Sequence, residues 1–300
     1  MKKLLILLLL VPSLSWGADF EKGLTAASQG DYATALKEWT PLAEQGNVKA
    51  QYNLGVLYDN GWGVVQNSKT AVEWYTLAAE QGDAYAQYNL GVIYDKGYGV
   101  VQNSKTAVEW YTLSAKQGNA RAQYNLGLMY DNGKGVVQNY KTASEWYTLA
   151  AEQGHTSAQY NLGVLYDNGW GVVQNYKTAV EWYTLAAKQG DASAQYNLGL
   201  KYRKGEGVLQ NYKTTLEWYT LAAEQGHVKA QANLGAMYGN GTGVLQDYIY
   251  AHMWFNIAAS SGDSEAAENR TKAEKKMTTA DISKAQELAR QCVNKDYKDC

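Results

Sequence analysis

Residue types that commonly carry out catalysis are scarce in this chain. Its three histidines are His155, His227 and His252. His155 and His227 each stand where a helix is predicted to start, a position that favours capping over general-base catalysis. His252 falls inside a predicted helix, where we expect it to be partly packed. No serine or cysteine has an evident base partner, which argues against nucleophilic catalysis.

The segment from Asp59 to Gly63 combines an acidic residue with closely spaced glycines, as loops that bind ions or phosphate do. It lacks the alternating ligands and the final glutamate of a helix–loop–helix calcium site. A phosphate-binding loop would follow a strand and end in a lysine, and neither is predicted here. We therefore expect the segment to end a helix, and we predict no metal, cofactor or catalytic site.

Residues 1–18 are typical of a secretory signal peptide. Two lysines precede a short apolar run from Leu4 to Val11, and small residues favour cleavage after Gly17 or Ala18. The run is too short to cross a membrane, and no later segment is long and apolar enough to do so. We therefore expect export to the periplasm or the cell exterior, with no membrane span.

Charge and cysteine content narrow the function classes further. The formal net charge is −2, and loss of the leader lysines leaves the mature chain mildly acidic, which argues against a nucleic-acid or anionic-membrane partner. Both cysteines, Cys292 and Cys300, lie in the tail. In an oxidising compartment a disulfide between them is expected. Two unpaired or intermolecular thiols are the alternative.

A repeated segment organises most of the chain. The triplet Asn-Leu-Gly recurs every 36 residues, starting at Asn53, Asn89, Asn125, Asn161, Asn197 and Asn233. A fixed period of this length indicates an array in which each unit buries its apolar face against its neighbours. We place six full repeats in residues 47–262, a shortened capping repeat in residues 19–46, and a helical cap and tail in residues 263–300.

The copy in residues 83–118 illustrates the predicted fold of one unit. Asp83 is expected to cap a first helix, Gly97 to end it, and Asn103 to cap a second helix. The pattern therefore predicts a helix–loop–helix unit. Gly91 lies inside the first helix, where glycine costs roughly 1 kcal/mol relative to alanine. We expect a compensating close approach of the two helices, with this glycine packed against Ala107 or Trp110.

The repeat also resembles a known family. The run Ala-x-Ala-Gln-Tyr-Asn-Leu-Gly, followed by spaced glycines, a Trp-Tyr pair and Ala-Ala, resembles the Sel1-like repeat family of the tetratricopeptide-repeat superfamily. The resemblance implies an all-α, right-handed superhelical α/α solenoid of about seven helix–loop–helix repeats with a C-terminal capping helix. First helices would line its concave side. The family usually has proline where Val65 and its counterparts stand, and we expect these to pack against the core in a less rigid loop.

Comparison of the copies suggests which residues would bind a partner. Positions that vary contribute Lys49, Tyr85 and Arg121. Polar positions that stay fixed contribute Tyr52, Asn53, Tyr88, Asn89, Asn125, Asn161 and Asn197. A row at the end of the first helix contributes Asp95, Asp131 and Asp167. The asparagines could instead bond to neighbouring repeats, and the aspartates could be solvated helix ends.

The fifth full copy departs most in charge. Lys201, Arg203 and Lys204 replace apolar and acidic residues of the earlier copies, and we predict a basic patch there. Lys201 stands at the repeat position that Leu57 holds in the first full copy. A lysine there suggests that side chains at this position are not deeply buried. The loop tryptophans, such as Trp62, are either interface anchors or folded back over their own repeat.

These observations favour a non-catalytic, exported and monomeric protein that binds or scaffolds a protein or peptide along its concave surface. An exported factor that acts on host proteins is the first alternative, because the resemblance includes such relatives. A β-lactam-binding or β-lactam-hydrolysing enzyme is the second. The relatives linked to that activity carry cysteine pairs in their repeats, and this chain has none there.

Overall fold

The computed structural model describes residues 17–298 and 300, and all regular secondary structure within them is helical. The predicted signal peptide lies almost wholly outside this range. The chain forms two compact units that divide between Ala122 and Gln123. The sixteen helices in the described ranges are α1 (Phe20–Ser28), α2 (Tyr32–Glu44), α3 (Val48–Asn60), α4 (Ser68–Glu80), α5 (Ala84–Lys96), α6 (Ser104–Lys116), α7 (Ala120–Asn132), α8 (Tyr140–Glu152), α9 (Thr156–Asn168), α10 (Tyr176–Lys188), α11 (Ala192–Lys204), α12 (Tyr212–Ala223), α13 (Val228–Asn240), α14 (Tyr248–Ser260), α15 (Ser264–Glu274) and α16 (Thr279–Asn294).

First helices begin at a capping side chain. The Asp83 carboxylate accepts the Ala86 N–H at 2.8 Å. Nδ1 of His155 and Nδ1 of His227 accept the equivalent N–H groups at 3.3 and 3.2 Å, which confirms the capping role predicted for both histidines. Gly97 ends α5 in the left-handed conformation, with φ of 78°. An asparagine caps α6, so the helix–loop–helix unit is confirmed.

The glycine inside a first helix packs against an aromatic ring of the second helix. The close approach expected for Gly91 is confirmed, but the expected partner is wrong. The Tyr111 ring fills the gap, not Ala107 or Trp110. Tyr111 follows Ala107 by one turn on the same buried face of α6, and its ring is long enough to lie over the glycine.

Buried glutamines tie three consecutive helices together, a feature that the repeat pattern alone did not suggest. Gln159 Nε2 on α9 donates to the Ala151 carbonyl of α8 at 3.1 Å. Gln189, which follows α10, donates through Nε2 to Gln159 Oε1 at 2.7 Å. Because both the donor and the acceptor of the buried amide are satisfied, the glutamine row stabilises the stacking of neighbouring repeats.

The apolar loop residues do not pack against the core, so that expectation is wrong. Val65 is 89 % exposed, and its counterparts are equally exposed: Val101, Val137, Val173, Leu209 and Leu245. The next residue, Gln66, donates through Nε2 to the Asp59 carbonyl at 2.7 Å. This bond holds the Gln66 side chain at the end of the helix. The side chain of the adjacent Val65 points the other way, into solvent.

The loop tryptophans fold back, but over the preceding repeat. Trp62 stacks on Tyr32 with ring centroids 5.0 Å apart, and Trp170 stacks on Tyr140 at 5.6 Å. In each pair the tyrosine belongs to the first turn of the previous repeat's second helix. Both tryptophans remain partly exposed.

The C-terminal helices close the second unit. Thr278 and Asp281 form the predicted capping box at the start of α16. This helix packs on α14, and its Ala289 and Cys292 are buried there. Cys292 is bonded to Cys300. Within residues 17–298, no helix has the length and apolarity to span a membrane.

Alanine substitutions at two helical glycines should have opposite effects on stability. At Gly163 a Cβ atom would come within 2.7 Å of the Tyr183 ring, so Gly163→Ala should lower the free energy of unfolding by about 1–3 kcal/mol. At Gly239 the nearest heavy atom is Ala251 Cβ at 3.6 Å, an ordinary contact. Gly239→Ala should raise stability by up to about 1 kcal/mol. Urea unfolding of the full chain measures both, and a stabilised Gly163→Ala protein would contradict the packing.

Candidate functional site

A groove on the first helices of the second unit brings several of the predicted partner-binding rows together. It has a volume of about 310 Å³ and lies across α9, α11 and the start of α13. We call it the first-helix groove. Its lining residues are Tyr160, Ser193, Tyr196, Asn197, His227, Val228 and Lys229. Five of these positions correspond to the predicted rows of Lys49, Tyr52 and Asn53, so one variable row and two fixed rows meet in one place.

Stacked rings form the floor of the first-helix groove. The Tyr196 ring lies 4.6 Å from the His227 ring and 5.6 Å from the Tyr219 ring, measured between centroids. Burial lowers the pKa of His227, so the imidazole is neutral at neutral pH. Its Nδ1 is then free of a proton and can cap α13. The floor is therefore aromatic and uncharged, while Lys229 on the rim is exposed.

Asparagines of the predicted row lie beside tyrosine hydroxyls of the preceding repeat, which agrees with the alternative interpretation. Asn197 lies beside the hydroxyls of Tyr160 and Tyr183 of the preceding repeat and lowers the pKa of both tyrosines, against the larger effect of burial. Asn161 makes the same contacts one repeat earlier. In the first unit, Asn89 lies beside Tyr52 and Tyr75 in the same way. Asn53 and Asn125 are half-buried on α3 and α7. Asn89, Asn161 and Asn197 therefore face tyrosines of the preceding repeat, and part of each amide is available to a ligand.

The aspartate row accepts hydrogen bonds from buried tyrosines, so its side chains are not merely solvated helix ends. The Tyr147 hydroxyl donates to Asp131 Oδ2 at 3.0 Å, and the Tyr183 hydroxyl donates to Asp167 Oδ2 at 3.3 Å. Burial raises the pKa of both tyrosines, and the neighbouring carboxylates raise it further. Asp95 is half-buried at the end of α5, with Oδ2 3.9 Å from Lys96 Nζ.

Lys201 is buried, so the expectation of a shallow row is wrong. Only 5 % of Lys201 is exposed. Its Nζ pairs with Asp167 and with Glu206 Oε2, the latter at 2.7 Å, and it lies 4.6 Å from the centre of the Tyr176 ring. Burial alone would lower the pKa of Lys201, but the two carboxylates outweigh it and the pKa is raised.

The predicted basic patch is therefore wrong at its centre. The positive charge of Lys201 is balanced by two carboxylates inside the protein. Lys204 Nζ lies 3.6 Å from one of them, Glu206. Arg203 is half-buried at the end of α11. Two carboxylates and three cations share this region, which leaves little net charge for an acidic partner.

The variable residues of the first unit do lie on its surface. Lys49, Tyr85 and Arg121 are exposed on α3, α5 and α7. The Tyr85 ring lies 6.0 Å from the ring of Tyr52, which is half-buried. Tyr88 is half-buried, with its ring 6.1 Å from that of Tyr111. The first unit thus presents the same combination of exposed variable residues and half-buried tyrosines as the first-helix groove.

His252 is fully buried rather than partly packed. Its Nε2 lies 3.0 Å from Glu274 Oε1, so the ring joins α14 to α15. Across the described ranges, no group of three or more histidine, cysteine, aspartate or glutamate side chains is arranged to hold a metal ion.

Replacement of Lys201 by methionine tests whether its ion cluster stabilises the fold. Met129 and Met237 occupy the same buried row. Because buried ion pairs cost desolvation, Lys201→Met should leave the free energy of unfolding unchanged or raise it by about 1 kcal/mol or more. Asp167→Asn should lower it by about 2 kcal/mol, because the buried ammonium keeps only Glu206. Urea unfolding at neutral pH measures both.

The same cluster should give a defined pH dependence. Lys201 lowers the pKa of Glu206 below its ordinary value of 4.5. Stabilisation from this pair is complete above that ordinary value and is lost as the pH falls through the lowered pKa. As the pH falls from 6 to about 3, the free energy of unfolding of wild type should therefore fall more than that of Lys201→Met. A constant difference would contradict the pairing.

Comparisons with known proteins agree with this architecture. The model of the Sel1 repeat family matches residues 48–83, 84–119, 120–155, 156–191, 192–227 and 228–263. The search of curated proteins found no match.

Two solved structures are similar in both sequence and fold. One is c5321, described as a protective antigen present in uropathogenic Escherichia coli strains and displaying an SLR fold. It is 33 % identical, with a TM-score of 0.63 over 93 % of this chain and 68 % of that protein. The other is a Sel1 repeat protein from Oxalobacter formigenes. It is 35 % identical, with a TM-score of 0.75 over 81 % of this chain and 100 % of that protein.

Proposed function

The chain belongs to the Sel1 repeat family, and we propose that it is a non-catalytic protein that binds a protein or peptide partner along its first helices. Sel1 repeat proteins are typically scaffolds for protein interactions. The observation that carries the proposal for this chain is the first-helix groove, where variable surface residues border a half-buried aromatic floor. Fold alone would not specify a function.

The chemistry of the groove suits a peptide segment. Tyrosine rings bind apolar and aromatic side chains with little loss of rotamer freedom, and such rings are frequent anchors at protein interfaces. The unused polar atoms of Asn197 can bond to a peptide backbone. Lys229 adds one positive charge at the rim, while His227 adds none at neutral pH. We therefore expect a partner segment with an apolar or aromatic side chain followed by an acidic or polar one.

Site-specific photo-crosslinking tests this surface. A photoreactive phenylalanine derivative placed at Ser193 or at Lys229 lies in the groove. The same residue at Leu185, which is exposed on the second helix α10, serves as the control. In intact cells the groove positions should yield a discrete adduct of one partner, identified by mass spectrometry, and the control position should not.

A groove variant makes the crosslinking result specific. Tyr196→Ala copies the chain's own Ala232, the residue at the equivalent position of the sixth repeat, so the fold should tolerate it. Because the variant removes part of the aromatic floor, it should reduce the adduct at Ser193 at least about fivefold. Adducts of equal yield from the groove and control positions, or an adduct unaffected by Tyr196→Ala, would remove the groove from the proposal.

We further propose that the protein acts outside the cytoplasm. Residues 1–18 carry the features of a secretory signal. The Cys292–Cys300 disulfide suits an oxidising compartment. A 33 % identical protein is described as a protective antigen of uropathogenic Escherichia coli, which favours a surface-exposed or released protein as the second candidate. In that case the partner would be a host protein.

Fractionation of a Gram-negative host that expresses the full chain with a C-terminal tag tests export. Intact mass should show a chain cleaved after Gly17 or Ala18 in the periplasm or the medium, with the disulfide formed. Deletion of residues 2–17 should retain the protein in the cytoplasm. An uncleaved wild-type chain in the cytoplasm would contradict export, and protein confined to the periplasm would argue against the host-directed alternative.

A further inference from the structure

A second pocket lies in the first unit, on the side of the repeats where loops join each first helix to its second helix. It has a volume of about 300 Å³ and is formed where the end of α3 and the start of α4 meet α5 and the loop that follows it. We call it the Asp59 pocket. The lining residues that matter for its chemistry are Asp59, Ser68, Asn89, Val92, Ile93 and Tyr98.

The equivalent space three repeats later holds an ammonium group. There the Lys201 side chain brings its Nζ to Asp167, which is the counterpart of Asp59. The same Nζ bonds to Glu206 at 2.7 Å and lies 4.6 Å from the centre of the Tyr176 ring. The repeat architecture at this place therefore accommodates a primary ammonium between a carboxylate and an aromatic ring.

The Asp59 pocket retains this chemistry without a lysine of its own. Ile93 stands where Lys201 stands in the later repeat, and its apolar side chain forms a buried wall. Ser68 replaces the bulky Tyr176, which widens the space. Tyr98 replaces Glu206, so the lining still contains an aromatic ring, and this residue is more than half exposed.

The carboxylate of Asp59 is suited to a cation. Burial raises its pKa, and a hydrogen bond from the Tyr75 hydroxyl offsets part of that effect. No lysine or arginine among the described residues forms an ion pair with Asp59, whereas Asp167 has Lys201. A partly desolvated carboxylate without a cationic partner gains more from an ammonium than a fully solvated one does.

We propose that the Asp59 pocket binds a primary alkylammonium group, with the nitrogen on Asp59 and beside the Tyr98 ring, and the alkyl stem along Val92 and Ile93. The ring contributes a cation–π contact, and the two aliphatic side chains cover the stem. A lysine side chain of a partner and a free diamine present the same group. The site is separate from the first-helix groove, so each proposal stands or fails by itself.

Methyl NMR of the full mature chain detects binding at this pocket directly. Isoleucine occurs at few positions, so labelled isoleucine methyl groups give a simple spectrum in which Ile93 reports on the pocket and Ile257 serves as an internal control. The probes are Nα-acetyl-lysine methylamide, its Nε-acetylated form and cadaverine. We expect a saturable shift of the Ile93 methyl with the two free amines, no shift with the acetylated form, and no change at Ile257.

Two variants keep the proposal falsifiable. Asp59→Asn should weaken binding of both amines at least about tenfold, because the charge-assisted contact is lost. The double variant Ile93→Lys with Tyr98→Glu reproduces the Lys201 cluster. It keeps Asp59 and should fill the pocket with its own ammonium, so calorimetry should show no binding of either amine to a folded protein.

The outcomes separate the proposal from its alternatives. Tighter binding of the lysine amide than of cadaverine identifies a partner's lysine as the source, and the reverse identifies a free diamine. No saturable Ile93 shift with either amine would overturn the proposal. Equal binding by the acetylated probe, by Asp59→Asn or by the double variant would overturn it as well.

Discussion

The contact on which the rest of the repeat depends is the tyrosine ring laid over the helical glycine. In the second unit, Tyr183 lies over Gly163 at a distance that excludes any side chain at the glycine. This contact brings the two helices of a repeat together and carries a phenol hydroxyl into the interior. A buried hydroxyl needs a hydrogen-bond partner. It donates to Asp167 of its own repeat and lies beside Asn197 of the next, so one ring joins both helices and contacts the neighbouring repeat.

The diverged copies show how strongly the hydroxyl and its acceptor are linked. In the sixth full repeat, Phe255 replaces the tyrosine and Gly239 replaces the aspartate, so the donor and the acceptor disappear together. In the fifth repeat, Arg203 replaces the aspartate while Tyr219 remains. Burial raises the pKa of this tyrosine, and the nearby arginine opposes the shift. The network is thus most altered in the last two full copies, of which the sixth packs on α15 and α16 of the C-terminal cap.

Helix boundaries and caps could be predicted from the sequence because their causes are local. An Asp83 or His155 side chain reaches only three residues along the chain. The partner of Gly91 could not be predicted in the same way, because the second helix is apolar over more than half its circumference and periodicity does not identify the ring that faces the glycine. The exposure of Val65 depends on a bond between Gln66 and the helix end, which a hydrophobicity pattern does not contain.

Part of the candidate site could also be predicted from the sequence, and part could not. The rows of Lys49, Tyr52 and Asn53 were identified by comparing copies, and their counterparts do line the first-helix groove. Lys201 was misjudged because its charge suggested exposure. It is satisfied instead by Asp167, a residue of the preceding repeat, and by Glu206 on the following loop. Only the folded arrangement brings these three groups together.

The pockets on the loop side show what variation between copies achieves. One architectural space is open beside Asp59. In a second copy the stacked Tyr140 and Trp170 rings stand at the positions of Ser68 and Tyr98, and in a third the Lys201 cluster occupies the space. Beside the C-terminal cap it is lined by two lysines, Lys272 and Lys276. Each repeat contacts only its neighbours, so a change of lining in one pocket leaves the others intact. Recognition can therefore diversify pocket by pocket, while the glycine–tyrosine contact and the glutamine bonds keep the repeats stacked.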